Sequence, residues 1–323
     1  MRRRDFIALT GAAATTWPLA ARADDYPSRP VKIVVPVSAA GATDMLARSL
    51  AQKLGERLGG SVYVESKPGA GSLVGTMFVL KSPADGYTLS MGGLFNMVML
   101  TPLLKDPPFE PARDFVAIGY LAAYPFVVIV RTGLPVSNLR DFVAYAKERP
   151  GTLTYGSGGL GTLQHVWGTI LLKGLGLDLM HVPYKGAGPA LQDMIGGRID
   201  FMFDNLAASR QAIDAGQVKA LAVSSAERTK PLPDLPTIDE TGLTTFEGES
   251  WFGLFAATGT PAPIIDRLRQ DVAAIVKDQE FAFRIERAAG RVLSIAPDRQ
   301  QEFLESELAR WSALIGRYGV STE

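Results

Sequence analysis

Twice along this chain an apolar, β-branched run passes through a loop of small residues into an amphipathic helix. That unit restricts the fold more than any other feature. In the first copy VKIVVP leads through Ser38–Thr43 into MLARSLAQKLGERLG, where Leu46, Leu50, Leu54 and Leu58 fall on one helical face. In the second, Leu153–Tyr155 leads through GSGGLGT into LQHVWGTILLKGLG. Small side chains let a guest approach the backbone. A helix start adds unpaired N–H groups and partial positive charge, so both junctions suit an anion. The first also reads as an ordinary strand-to-helix turn with Thr43 or Asp44 as N-cap.

The alternation continues around these two copies. Strands are predicted at Ser61–Glu65, Tyr87–Met91, Val116–Ala122, Phe126–Val130, Leu179–Pro183, Ile199–Phe203, Lys219–Val223 and Ser250–Ala256. Helices are predicted from Leu73 to about Lys81, after a Ser137 cap, over Ala187–Ile195 and from near Leu206. Such alternation predicts an α/β fold with parallel sheets covered on both faces. In the tail, Ile264, Leu268, Val272 and Ile275 align on one helical face, and Phe303, Leu304, Leu308, Trp311 and Ile315 on another. The tail is expected to return to the first domain, giving domains 24–126 plus 250–323 and 127–249. Both small-residue loops would then face the gap between them.

Residues 1–23 read as an export signal of twin-arginine type. Arg2, Arg3 and Arg4 precede a mildly apolar stretch, and Ala21-Arg22-Ala23 fits a cleavage site. The apolar stretch, broken by Gly11, Trp17 and Pro18, is too short to span a bilayer. Cleavage near Ala23 would turn a balanced chain into one of about −3 net charge, a mild value that does not point to nucleic acid or anionic membrane. With no cysteine, an exported chain cannot use disulfides or thiolate metal sites. Two histidines do not favour a transition-metal site either, so neither cofactor nor metal is expected.

Gly156, Ser157, Gly158, Gly159, Leu160 and Gly161 match G-x-G-x-x-G, the dinucleotide fingerprint. The acidic residue that should end the next strand is missing: Asp178 stands before that strand and Lys185 after it. The loop can still cradle a small anion, with Ser157 and Thr162 adding hydroxyls. Ser157 with His165, about one turn into the following helix, is a second reading, an exported serine hydrolase, although no third group or G-x-S-x-G elbow accompanies it. Asp44 either caps its helix or takes a cationic group of the guest. Asp204 and Asn205 reach the same gap or cap the next helix, and Asn96 is a weaker candidate of the same kind. Lys185 reads equally as a carboxylate partner or a solvated lysine, and Trp251 and Phe252 as core or hinge packing.

The stretches YPSRPVKIVVP, GATD, VESKPGAGSLVG, DGYTL, TYGSGGLGTLQH, HVPYKGAGPALQDMIGGRIDFMFDN and SWFGLFAATGTPAP occur in this order. Together they closely resemble the solute-binding receptors of tripartite tricarboxylate transporters, the Bug family, across essentially the whole mature chain. The resemblance implies a two-domain periplasmic-binding-protein fold of the Venus flytrap, type II-like kind. It also implies a monomeric periplasmic receptor, not an enzyme, that passes a small carboxylate to two membrane subunits. Tricarboxylates, dicarboxylates, aromatic acids and amino acids are all in range. Such receptors grip a carboxylate with two loops, which fall here on Val37, Ser38, Ala39, Ala40, Gly41, Ala42, Thr43 and Asp44, and on Gly156–His165. Asn96 and Asp204 would complete the site. Relatives commonly carry Pro-Gly-Gly in the first loop, where this chain has Ser38-Ala39-Ala40-Gly41.

Overall fold

The computed structural model describes residues 26–37, 39 and 42–321. The export signal and Ser38, Ala40 and Gly41 therefore lie outside the described residues. The chain opens with β1 (Val31–Val35), α1 (Ala42–Leu58), β2 (Val62–Ser66), α2 (Leu73–Leu80) and β3 (Thr88–Gly93). A π-helical turn, Phe95–Met99, runs into the short helices α3 (Leu100–Leu103) and α4 (Pro111–Asp114). Then come β4 (Phe115–Arg131), α5 (Leu139–Lys147), β5 (Thr154–Ser157), α6 (Leu163–Gly174), β6 (Met180–Pro183) and α7 (Ala187–Ile195). They are followed by β7 (Phe201–Asn205), α8 (Leu206–Asp214), β8 (Val218–Val223) and β9 (Glu249–Ala257). The tail holds α9 (Ala262–Ile275), α10 (Gln279–Arg287), β10 (Arg291–Val292) and α11 (Gln300–Tyr318).

The strands form a sheet of order β2-β1-β3-β9-β4-β7-β5-β6, with β8 and β10 also paired to β4. β1 runs parallel to β2 and β3, and β5 parallel to β6 and β7, as strands joined by crossover helices do. Between these parallel sets the ladders turn antiparallel through β9 and β4. Two separate runs were expected where β4 lies, and the structure has one strand of 17 residues. Ala123, Tyr124 and Pro125 keep the pairing alive by facing Trp251, Ser250 and Glu249. Pro125 stands where β4 leaves β9 and Phe126 begins pairing with Asn205 of β7, so the missing N–H falls at a change of ladder.

The leucine face of α1 is buried as the spacing predicts, Leu50 and Leu54 completely, against a core that includes Leu268 and Val272 of α9. Each such leucine contributes about 1.5–3 kcal/mol. Asn138, not Ser137, caps α5: its side chain accepts from the Asp141 N–H, while the Ser137 N–H donates to the Asp141 carboxylate. The amide fits the N-cap position as well as a hydroxyl does. The tail does return to the first strands through α9, but α11 packs more widely. Trp311 of α11 stacks on Trp167 of α6, with ring centroids 5.2 Å apart. The indole N–H groups of Trp311 and of Trp251 in β9 both donate to Glu307. One helix thus fastens the antiparallel strand β9 to α6, the helix that follows β5.

Candidate functional site

The chain leaves β1 through Pro36 and Val37 and enters α1 at Ala42, the first helical residue. Val37 and Thr43 reach a cavity of about 690 Å³, while Ala39 is exposed to solvent. Asp44 lies inside α1, one turn ahead of Arg48, which clasps its carboxylate through Nε and Nη2 at 2.8 and 3.1 Å. Ser66 Oγ donates to it at 3.4 Å. Asp44 is buried and is not on the cavity wall, so the reading in which it takes a cationic group of the guest has no support.

The second loop leaves β5 at Ser157 and enters α6 behind Thr162, whose hydroxyl caps the His165 N–H. Gly159 and Gly161 have φ of 121° and 75°, which favours glycine there. The Ser157–His165 pair of the alternative hydrolase reading does not form. Ser157 Oγ instead shares a 2.7 Å hydrogen bond with Nε2 of His181, and His165 Nδ1 accepts from the Gly161 N–H at 3.2 Å. Ser157 and His181 stand on adjacent parallel strands, where Tyr155 faces His181, and this register brings them together. The rings of Tyr155, His181 and His165 stack at centroid spacings of 4.5 Å. Burial lowers the pKa of both histidines, and the neighbouring His165 helps bring His181 to about 4. The stack is a neutral prop beneath the loop. Ser157 is fully buried and away from the cavity, a position that does not suit a nucleophile. Asp178 lies near Gly151, at the opposite end of β5 from the glycine loop, so the dinucleotide fingerprint lacks its ribose partner.

Of the second loop, Gly161 and Thr162 line the cavity together with Leu160, Leu163 and Gln164; Gly156, Ser157, Gly158, Gly159 and His165 are not on its wall. Asp204 is fully buried, accepting from Gln164 Nε2 at 3.0 Å and Ser209 Oγ at 2.7 Å, and burial raises its pKa. It acts at one remove, because Gln164 is the residue on the wall. Asn205 caps α8 through the Ala207 N–H and also lines the cavity. Asn96 lines it too, with its side chain turned back: Oδ1 accepts from the Gly93 N–H and Nδ2 donates to Thr76. Lys185 is exposed and not on the wall. Trp251 is core, whereas Phe252 joins the cavity floor with Phe126 and Ser250.

A third loop was missed. Gly69, Ala70, Gly71 and Ser72 all have positive φ, at 136°, 45°, 60° and 80°, and all line the cavity. Alanine and serine rarely adopt this region, and such strain gathers where a guest is held. Thr76 Oγ1 donates to the Ser72 carbonyl and accepts from Asn96, which fixes the turn. The signal was present in SKPGAGS, the same strand, small-residue loop and helix order as the two copies singled out. Among the described lining residues none carries a charged side chain. A carboxylate there would be held by peptide N–H groups, hydroxyls and amides, for which each bond to a charged group is worth about 1.5–3 kcal/mol.

Comparison with known proteins identifies the family. Residues 46–320 match the family described as Tripartite tricarboxylate transporter family receptor. Protein BugT of Bordetella pertussis is 31% identical over 316 residues, covering 98% of this chain and 95% of BugT. The periplasmic binding protein BugD superimposes with a TM-score of 0.79 at 36% identity, over 92% of this chain and 99% of BugD. An R. palustris protein solved with adipate gives a TM-score of 0.81 at 35% identity, over 92% and 99%. MatC of Rhodopseudomonas palustris, solved with bound malate, gives 0.78 at 30%, over 90% and 100%. The fold is that of the periplasmic binding proteins, and the chain belongs to the tripartite tricarboxylate transporter receptor family, a family of periplasmic solute-binding receptors and not of enzymes.

Proposed function

We propose that this receptor takes a small carboxylate into the cavity between two domains, 24–126 plus 250–323 and 127–249. The loaded monomer then delivers it to the membrane subunits of a tripartite tricarboxylate transporter. The observation that carries this reading is the shared wall: Val37 and Thr43 from the first loop and Gly161 and Thr162 from the second line one cavity, with no charged side chain among its described lining residues. The two relatives solved with malate and adipate support a carboxylate as the guest. Four to six hydrogen bonds to one carboxylate, less the ordering cost, reach the ~8 kcal/mol of a micromolar complex. The twin-arginine pattern supports export, with cleavage near Ala23 and the mature receptor in the periplasm.

A thermal-shift screen of tricarboxylates, dicarboxylates, aromatic acids and amino acids tests the reading. An acid at 100 times its dissociation constant adds about 2.7 kcal/mol of stability. Thr43→Val and Gly161→Val should each weaken that stabilisation in a protein that still folds. Unchanged affinity in both variants would remove the two loops from the site.

A further inference from the structure

We infer that the preferred guest carries one carboxylate on an apolar body, an alkyl or aromatic monoacid, rather than two or three acid groups. The inference rests on the carboxylate-receptor reading and narrows it. Leu94, Phe95, Leu100, Leu103 and Leu104 come from one stretch of chain and line the cavity. The polar residue of that stretch on the cavity wall, Asn96, has its amide engaged by Gly93 and Thr76. Gly71 ties this wall to the strained loop: a Cβ there would lie 3.8 Å from Phe95 and 4.0 Å from Leu100. Leu160, 57% exposed, and Leu163 add apolar surface from the α6 side, and Phe126 and Phe252 floor the space.

The other polar lining groups sit outside that stretch, Thr43, Ser72, Thr162, Gln164 and Asn205 at loop and helix starts and Ser250 on β9. One anionic group has donors there. A second carboxylate reaching toward Leu94–Leu104 would lose its water without a cation or a ring of N–H groups to replace it, which is costly. A methylene chain or an aromatic ring gains from the same surface. The volume of about 690 Å³ leaves room for such a body.

The test compares butyrate, hexanoate, succinate, adipate and hexanol on the full chain by titration calorimetry. Hexanoate should bind about fifteenfold more tightly than butyrate, since each buried methylene is worth about fourfold. Hexanoate should also outbind adipate, the diacid of equal length. Leu160→Asn, at an exposed position that the fold tolerates, and Leu104→Asn should each shrink the hexanoate-to-butyrate ratio. Adipate binding as tightly as hexanoate, or a ratio near one, would overturn the inference while leaving a carboxylate receptor intact. Hexanol binding as tightly as hexanoate would overturn the receptor reading itself and the inference with it, and no binding by any of these acids would overturn the inference.

Discussion

Acid should loosen this protein through His181, and the size of the effect follows from its surroundings. The ring lies between those of Tyr155 and His165, with Nε2 on Ser157, and its pKa falls from 6.5 to about 4, chiefly through burial. Between these values the unfolded chain holds a proton that the folded chain refuses. The stabilisation from the neutral ring is therefore complete above pH 6.5, declines as pH falls through the window and changes no further below about 4. At about 1.4 kcal/mol per pH unit the ceiling is ~3 kcal/mol. The ring keeps some contact with solvent, so screening reduces this to about 1–2 kcal/mol. His181→Phe keeps a ring in the stack but cannot titrate; its loss of the Ser157 bond is a constant offset. Thermal melts at pH 7.5 and 4.0 should show the wild type losing about 2–8 °C more than the variant. Equal losses in the two proteins would refute the argument, because every other titrating group is common to both.

Three more outcomes are expected. Gly161→Ala forces a side chain onto φ of 75°, a strain of about 1–2 kcal/mol, and should weaken acid binding in calorimetry with the far-ultraviolet circular dichroism unchanged. Ser209→Ala removes the 2.7 Å donor to fully buried Asp204 and should cost about 1–3 kcal/mol in urea unfolding. Trp311→Ala empties the contact with Trp167 and should cost about 3–5 kcal/mol, read by the same urea titration.

Periodicity made most elements legible. The leucines of α1 and the span of α7 could be read from spacing alone, because each buries one face of a regular helix. Continuity was harder. Tyr124-Pro125 looks like punctuation, and only pairing with Ser250 and Glu249 shows that β4 runs on through it. The partner of Ser157 was hidden for a related reason. His165 is near in sequence, whereas His181 becomes near only once β5 and β6 are aligned. At the site, residues singled out for their small size or their oxygen atoms divide into a wall and a support behind it. Gly161 and Thr162 belong to the wall, while Ser157, His165 and Asp204 hold it in place. Sequence spacing does not distinguish these roles, since both favour small or hydrogen-bonding residues. The lining role of Leu94, Phe95, Leu100, Leu103 and Leu104 has no signal of its own in the sequence and shows only in the cavity beside them.

The course of β4 has a mechanical consequence. Its first eleven residues are laced to β9 and the following ones to β7 and β8, so both halves of the molecule hang on one unbroken ribbon. A ribbon laced in this way resists sliding, because every step of slip would break a row of inter-strand hydrogen bonds at once. Bending is least costly at the exchange around Pro125, where β4 passes from one ladder to the next.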